Sequence, residues 1–180
     1  MQHLRYLHRI MLFCFISASA AHAQDQDETP RPSTFAQASI RFKETYVKVT
    51  YSQPNKGGRE IFGNVVPYGK VWRTGANEAT EITTTKNITL NGFLLKAGTY
   101  SIFTIPGPDS WTILINSELG LWGAYNHNPR LDILKFHVPA AKSSNVHERF
   151  TIEFAQRNES ADLSLMWDDV KVIVPVKFLN

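Results

Sequence analysis

Cysteine is all but missing from this chain. The one copy, Cys14, lies inside an opening segment that reads as an export leader. Arg5 and Arg9 make a basic start, Ile10 to Ile16 a short apolar centre, and Ala21-His22-Ala23 a small-residue cleavage signal. A lipoprotein leader wants a small residue just before its cysteine, and Phe13 stands there instead. Removing residues 1–23 leaves 157 residues and no cysteine. Disulfides, thiolate metal ligands and thiol nucleophiles are then excluded together, and stability must come from packing.

Long hydrophobic runs are also lacking. The apolar centre of the leader is far shorter than the roughly 20 residues of a membrane-spanning helix, and no later segment approaches that length. The expectation is an exported chain, periplasmic or secreted, with no transmembrane segment after the leader. Excess charge is missing too. Lys and Arg total 19, of which Arg5 and Arg9 leave with the leader, while all 16 acids remain; 17 bases against 16 acids give +1. A global basic field for nucleic acid is therefore not expected.

The usual catalytic templates are absent. There is no G-x-S-x-G nucleophile elbow and no H-E-x-x-H zinc helix. Gly63 to Lys70 superficially resembles a phosphate-binding loop. Five residues separate Gly63 from Gly69 where four are required, and Val71 stands where a magnesium-holding hydroxyl would be. Three histidines remain after the leader, His127, His137 and His147, with no close pair of metal-ligand spacing. No metal and no cofactor are expected.

What is present is a strand pattern. Val47, Val49 and Tyr51 alternate with Lys48 and Thr50; Leu134, Phe136 and Val138 with Lys135 and His137; Phe150, Ile152 and Phe154 with Thr151 and Glu153. Asn91-Gly92 is set for a tight hairpin between Ile88–Leu90 and Leu94-Leu95. Pro106-Gly107-Pro108-Asp109 separates Thr99–Ile105 from Trp111–Asn116, and Asp168-Asp169 separates Leu163–Trp167 from Val170–Val176, reading as two more hairpins. Beyond one turn around Glu60-Ile61-Phe62, no helix is expected. Roughly eight to ten short strands predict an all-β, single-domain antiparallel β-sandwich, with a closed β-barrel as the alternative. The domain is expected over 37–180, after a disordered, acidic and Pro-containing lead-in at 24–36.

Residues 51–82, YSQPNKGGREIFGNVVPYGKVWRTGANEATEI, stand apart from that pattern. Half of the chain's 10 glycines fall between Gly57 and Gly75. Linkers lack buriable Ile, Phe, Trp and Val, so this is expected to be an ordered irregular segment that holds polar side chains on a fixed scaffold. Between Pro54 and Thr80, Lys56, Arg59, Lys70 and Arg73 outnumber Glu60 and Glu78. Arg59 and Arg73 offer planar forks for carboxylate or phosphate. Tyr68 and Trp72 could stack on a sugar or ring, Asn77 could orient hydroxyls, and Glu78 could serve as a general base. The competing reading is a structural staple, with Arg73 paired to Glu78 or to loop carbonyls and the aromatics in the core. A second aromatic cluster, Leu121 to Asp132, is either a pocket wall formed by Trp122, Tyr125 and His127 or an ordinary anchored loop.

Several strings then match a known pattern: YSQPNKGGREIFGNVVPYGKVWRTGANEAT, LKAGTYSIFTIPGPDSWTILIN, LWGAY and LSLMWDDVKVIVPV. Over about Ile40 to Val176 the chain resembles the domain of unknown function 2911 family, exported bacterial proteins common in Bacteroidetes. The resemblance implies export and one β-rich domain and supplies no catalytic residues. The family's usual K-G-R stands here as Lys56-Gly57-Gly58-Arg59, one residue longer. The functional expectation is a non-enzymatic β-sandwich that binds a small anionic or sugar-like ligand, or an envelope component, through Arg59, Tyr68, Trp72, Arg73, Asn77 and Glu78. The alternatives are a structural or protein-interaction module of the cell envelope, and a hydrolase or lyase in which Glu78 is acid or base and Arg73 stabilises developing charge.

Overall fold

The computed structural model describes residues 32–179. The expected leader at 1–23 and the first part of the expected lead-in lie outside them. Nine strands follow in order: β1 Thr34–Phe42, β2 Thr45–Gln53, β3 Thr80–Thr84, β4 Ile88–Leu90, β5 Phe93–Leu95, β6 Gly98–Pro106, β7 Ser110–Asn116, β8 Asp132–Arg157 and β9 Ser160–Phe178. One 3₁₀ turn, Pro129–Leu131, precedes β8. No α-helix occurs among the described residues. The strands form one antiparallel sheet in the order β1-β2-β3-β6-β7-β8-β9-β4-β5, open at β1 and β5. The closed barrel is therefore excluded.

Two long strands fold this sheet over its own core. β8 pairs with β7 as far as Pro139 and with β9 from Ala140 onward, so it belongs to both layers. Across the core, Phe42 of β1 stacks on Phe178 of β9, centroids 5.0 Å apart. The buried faces of β2 (Val47, Val49, Tyr51), β7 (Trp111, Ile113, Ile115), β8 (Phe150, Ile152) and β9 (Val172, Val174, Val176) meet between the layers. Alternating burial along β2 is the half-buried pattern its sequence predicts.

Two hairpins form as expected. β4 and β5 pair Ile88 with Leu95 and Leu90 with Phe93, and Asn91 (φ 48°) and Gly92 (φ 84°) close the turn with both φ angles positive. β6 and β7 pair Pro106 with Trp111. The third proposed hairpin does not exist. Asp168-Asp169 lies inside the continuous β9, where Asp168 takes φ 55° and sits opposite His147 of β8. Its effect is a bulge. Leu163, Leu165 and Trp167 are buried before it, and Val172, Val174 and Val176 after it. The surplus residues of this irregular pairing are on β8, where His147 comes five positions after Lys142 while Asp168 comes two before Val170. In β9 the left-handed Asp168 breaks the alternation, and the inward face passes from odd to even positions.

Two further corrections concern segment ends. Thr34, Phe35 and Ala36, expected in the disordered lead-in, already pair with Gln53, Ser52 and Tyr51. Phe35 is the one large apolar side chain among them and stays exposed, so no apolar alternation announces a strand, but the partner strand supplies the ladder. The turn at Glu60–Phe62 is not helical. The Val65 and Val66 amides reach back five residues to the Glu60 and Ile61 carbonyls, at 3.4 and 2.8 Å, making a wide loop.

Candidate functional site

The irregular segment between β2 and β3 is pinned to the sandwich along its length. Lys56 N–H donates to the Glu148 carbonyl (2.6 Å), and Gly69 N–H to that of Pro106 (2.9 Å). Trp72 and Thr104 exchange both backbone bonds, at 2.7 and 2.9 Å, and Ala76 N–H reaches the Ser52 carbonyl at 3.3 Å. A Cβ at Gly75 would stand 3.0 Å from that same Ser52 oxygen, so this close approach calls for glycine. Lys56 Nζ lies 2.6 Å from Asp168 Oδ2 and ties the segment to the β9 bulge. The segment is an ordered scaffold, as its composition predicts.

Its turn at Thr74 is strained. Thr74 is fully buried at φ 59°, a left-handed conformation that β-branched residues rarely adopt. Hydrogen bonds hold it there: its hydroxyl reaches Thr104 Oγ1 at 3.2 Å, and its carbonyl accepts from Thr80 Oγ1 at 2.6 Å. This turn sets the position of the neighbouring Arg73.

The six predicted site residues divide. Arg59, Trp72, Arg73 and Asn77 line one cleft of about 410 Å³, together with Ser33, Asn55 and Val66 among others. Arg59 is exposed, and its guanidinium donates to the Lys56 and Asn55 carbonyls. Asn77, at φ 57°, directs Nδ2 toward the Ser33 carbonyl and Ser52 Oγ, at 3.5 and 3.4 Å. Glu78 lines a different hollow, of about 290 Å³, with Phe35, Tyr51 and Glu81. Tyr68 lines neither and is 44% exposed, its ring against Gly63.

Trp72 is mostly core. It is 8% exposed, stacks on Trp167 at 5.9 Å, and meets Phe62, Phe150 and Trp111 edge-on. Its indole N–H donates to the Gly75 carbonyl at 3.0 Å, so the polar tip is satisfied inside the loop.

Arg73 is the least satisfied polar group in the cleft. It is half-buried, and among the described residues it makes no ion pair. Its Nε is buried and has no hydrogen-bond partner among the described residues. The expected alternative, an Arg73–Glu78 staple, does not form. Buried polar groups nearly always have partners, so an orphaned guanidinium nitrogen at a cleft wall calls for an explanation.

The second aromatic cluster also splits. Tyr125 shares a hollow of about 270 Å³ with Lys70, Arg73 and Ala124. Trp122 forms an isolated backbone bridge with Glu78 and is 57% exposed. His127 turns inward, its Nε2 2.9 Å from Asp132 Oδ1 and its ring 4.8 Å from that of Phe103. His137 faces outward beside Thr112, and His147 contacts Ser143. The three histidines thus serve three separate places. Lys70 was legible only as one unit of local charge, because no sequence pattern says which loop cations end up in a common hollow.

Searches of curated proteins and of solved structures each return no match. The family model described as "Protein of unknown function (DUF2911)" matches residues 33–176, nearly all of the described sandwich, and the chain belongs to that family.

Proposed function

We propose that this is an exported, non-enzymatic β-sandwich that binds a small anionic or sugar-like ligand in the cleft between Arg59 and Arg73. The observation that carries the reading is Arg73 Nε, buried and without a hydrogen-bond partner among the described residues. An anion in the cleft would give this guanidinium the charged partner that it lacks among the described residues. A guanidinium already half-desolvated binds carboxylate or phosphate in the two-pronged mode that makes such bonds strong. The strained Thr74 turn supports the same reading, since strain of this kind is commonly stored where a side chain must be pre-positioned.

The hydrolase or lyase alternative needs Glu78 and Arg73 on one ligand. Glu78 lines the neighbouring hollow, so the geometry favours binding over that chemistry. The interaction-module alternative draws on one observation, the open edge at β5 with Phe93 and Leu94 about half exposed.

The test is a thermal-shift panel of small carboxylates, phosphates and sugar acids against the wild type and Arg73→Ala. A ligand at 100 times its Kd adds about 2.7 kcal/mol, worth roughly 5–11 °C for a chain of this size. A rise in wild type that is lost in the variant supports the reading. No rise with any anion would count against it.

A further inference from the structure

The Arg59–Arg73 cleft does not end at Arg73. Val65, Val66, Trp72 and Arg73 line both it and the hollow that holds Lys70 and Tyr125, so the two adjoin along one shared wall. Among the described residues, neither is lined by any Asp or Glu. Among the described residues, none of Arg59, Lys70 and Arg73 forms an ion pair with a carboxylate. Three cations without carboxylate partners around two adjoining hollows make a local positive field on a chain that is otherwise close to neutral.

Tyr125 adds a flat surface to that field. It is 85% exposed, and a Cβ at Gly123 would fall 2.8 Å from its ring. The ring therefore lies against the loop at one side and is open elsewhere. Among the described residues it lies against Gly123 alone of the glycines. An aromatic face beside a cation fits the apolar face of a pyranose ring that carries an acid group.

We propose that the cleft and the Lys70–Tyr125 hollow are consecutive subsites for an acidic oligosaccharide, one sugar acid held at Arg59 and Arg73 and the next stacked on Tyr125 with its acid group at Lys70. The inference rests on the anion-binding reading of the cleft and extends it from a single small anion to a chain of linked sugar acids. A single-stranded nucleic acid would also offer rings and negative charge. It would want a wider basic track than three cations beside one exposed ring.

The test is calorimetric titration of the full chain with galacturonic acid, its linear tetramer, uncharged cellotetraose and tetrathymidylate, using the wild type, Lys70→Ala, Tyr125→Ala and Arg73→Ala. Lys70 and Tyr125 are exposed, so their substitution is expected to leave the melting temperature in place, which a parallel melt checks. The expected result is a tetramer that binds at least about tenfold more tightly than the monomer, a difference of about 1.4 kcal/mol. Lys70→Ala and Tyr125→Ala should each remove most of that gain, and cellotetraose should bind weakly.

Equal affinity for monomer and tetramer, or a gain that survives both substitutions, overturns the second subsite while leaving the small-anion reading intact. Preference for cellotetraose or for tetrathymidylate overturns the acidic glycan. Arg73-dependent binding of other anions but of neither sugar acid likewise defeats the glycan alone. If no anion binds in an Arg73-dependent way, both readings fall.

Discussion

The phenol of Tyr51 occupies a backbone slot of a strand 101 residues away. Its hydroxyl accepts from the Ile152 amide at 2.9 Å and donates to the Ile152 carbonyl at 3.2 Å. One side chain of β2 thereby completes the hydrogen bonding of β8 where the two layers meet. Burial pushes the Tyr51 pKa up, opposed by its hydrogen bonds with Ile152 and Gln53.

Tyr51→Phe should leave two buried backbone groups at Ile152 without partners. The expected cost is about 2–3 kcal/mol, or a fall in Tm of roughly 4–12 °C. A chemical-denaturation series with unchanged m-value would separate this loss from a change in compactness.

The raised Tyr51 pKa also predicts a pH effect. The folded protein holds this proton more tightly than the unfolded chain. Its stabilising contribution is complete below the ordinary phenol value of about 10 and is lost as pH climbs from there through the folded pKa. Denaturation midpoints compared across that range should fall more steeply for wild type than for Tyr51→Phe. Parallel slopes would show that the folded and unfolded chains hold this proton equally, contradicting the raised pKa.

Asp168 does two things at once, and two substitutions separate them. Asp168→Asn tolerates the positive φ but loses the charge opposite Lys56, while Asp168→Ala loses both. The Lys56–Asp168 side chains are 22% and 17% exposed, so the pair lies between the surface and buried cases, and Asp168→Asn should cost about 1–3 kcal/mol. Asp168→Ala should cost about 1 kcal/mol more for the left-handed backbone. Equal melting temperatures for the two variants would refute the claim that the bulge geometry matters energetically.

Gly92→Ala tests the hairpin turn in isolation. A Cβ there would meet no atom within 4 Å, so any cost is conformational. At φ 84° it should be about 1–2 kcal/mol. A neutral result would mean that the β4–β5 hairpin can change turn type without loss.

How much of this was legible in the sequence depended on how local each signal was. Asn91-Gly92 carries its own turn chemistry, so that hairpin could be read directly. Asp168-Asp169 carries the same kind of chemistry and misled, because a left-handed residue serves a turn or a bulge equally well. The deciding clue was the shift from odd to even apolar positions between Trp167 and Val172, which tells of a break in alternation within one continuous strand. Thr34 to Ala36 show no apolar alternation to announce a strand and acquire one from Gln53 to Tyr51. The site divided for a similar reason. Composition marked Arg59, Tyr68, Trp72, Arg73, Asn77 and Glu78 as one group, but whether a Trp is core or platform depends on Trp167 and Phe150, distant in sequence. Neighbouring positions such as Asn77 and Glu78 face different hollows because Asn77 turns the chain at positive φ.

The account turns on Arg73 being a ligand group and not a staple. The most direct measurement is the melting temperature of Arg73→Ala beside wild type, each with and without galacturonic acid. With no ion pair among the described residues to lose, the variant should melt within about 2 °C of wild type and should no longer be raised by the sugar acid, whereas wild type should. A fall of roughly 6–20 °C, the scale expected for breaking a buried ion pair, together with an undiminished response to the acid, would contradict it.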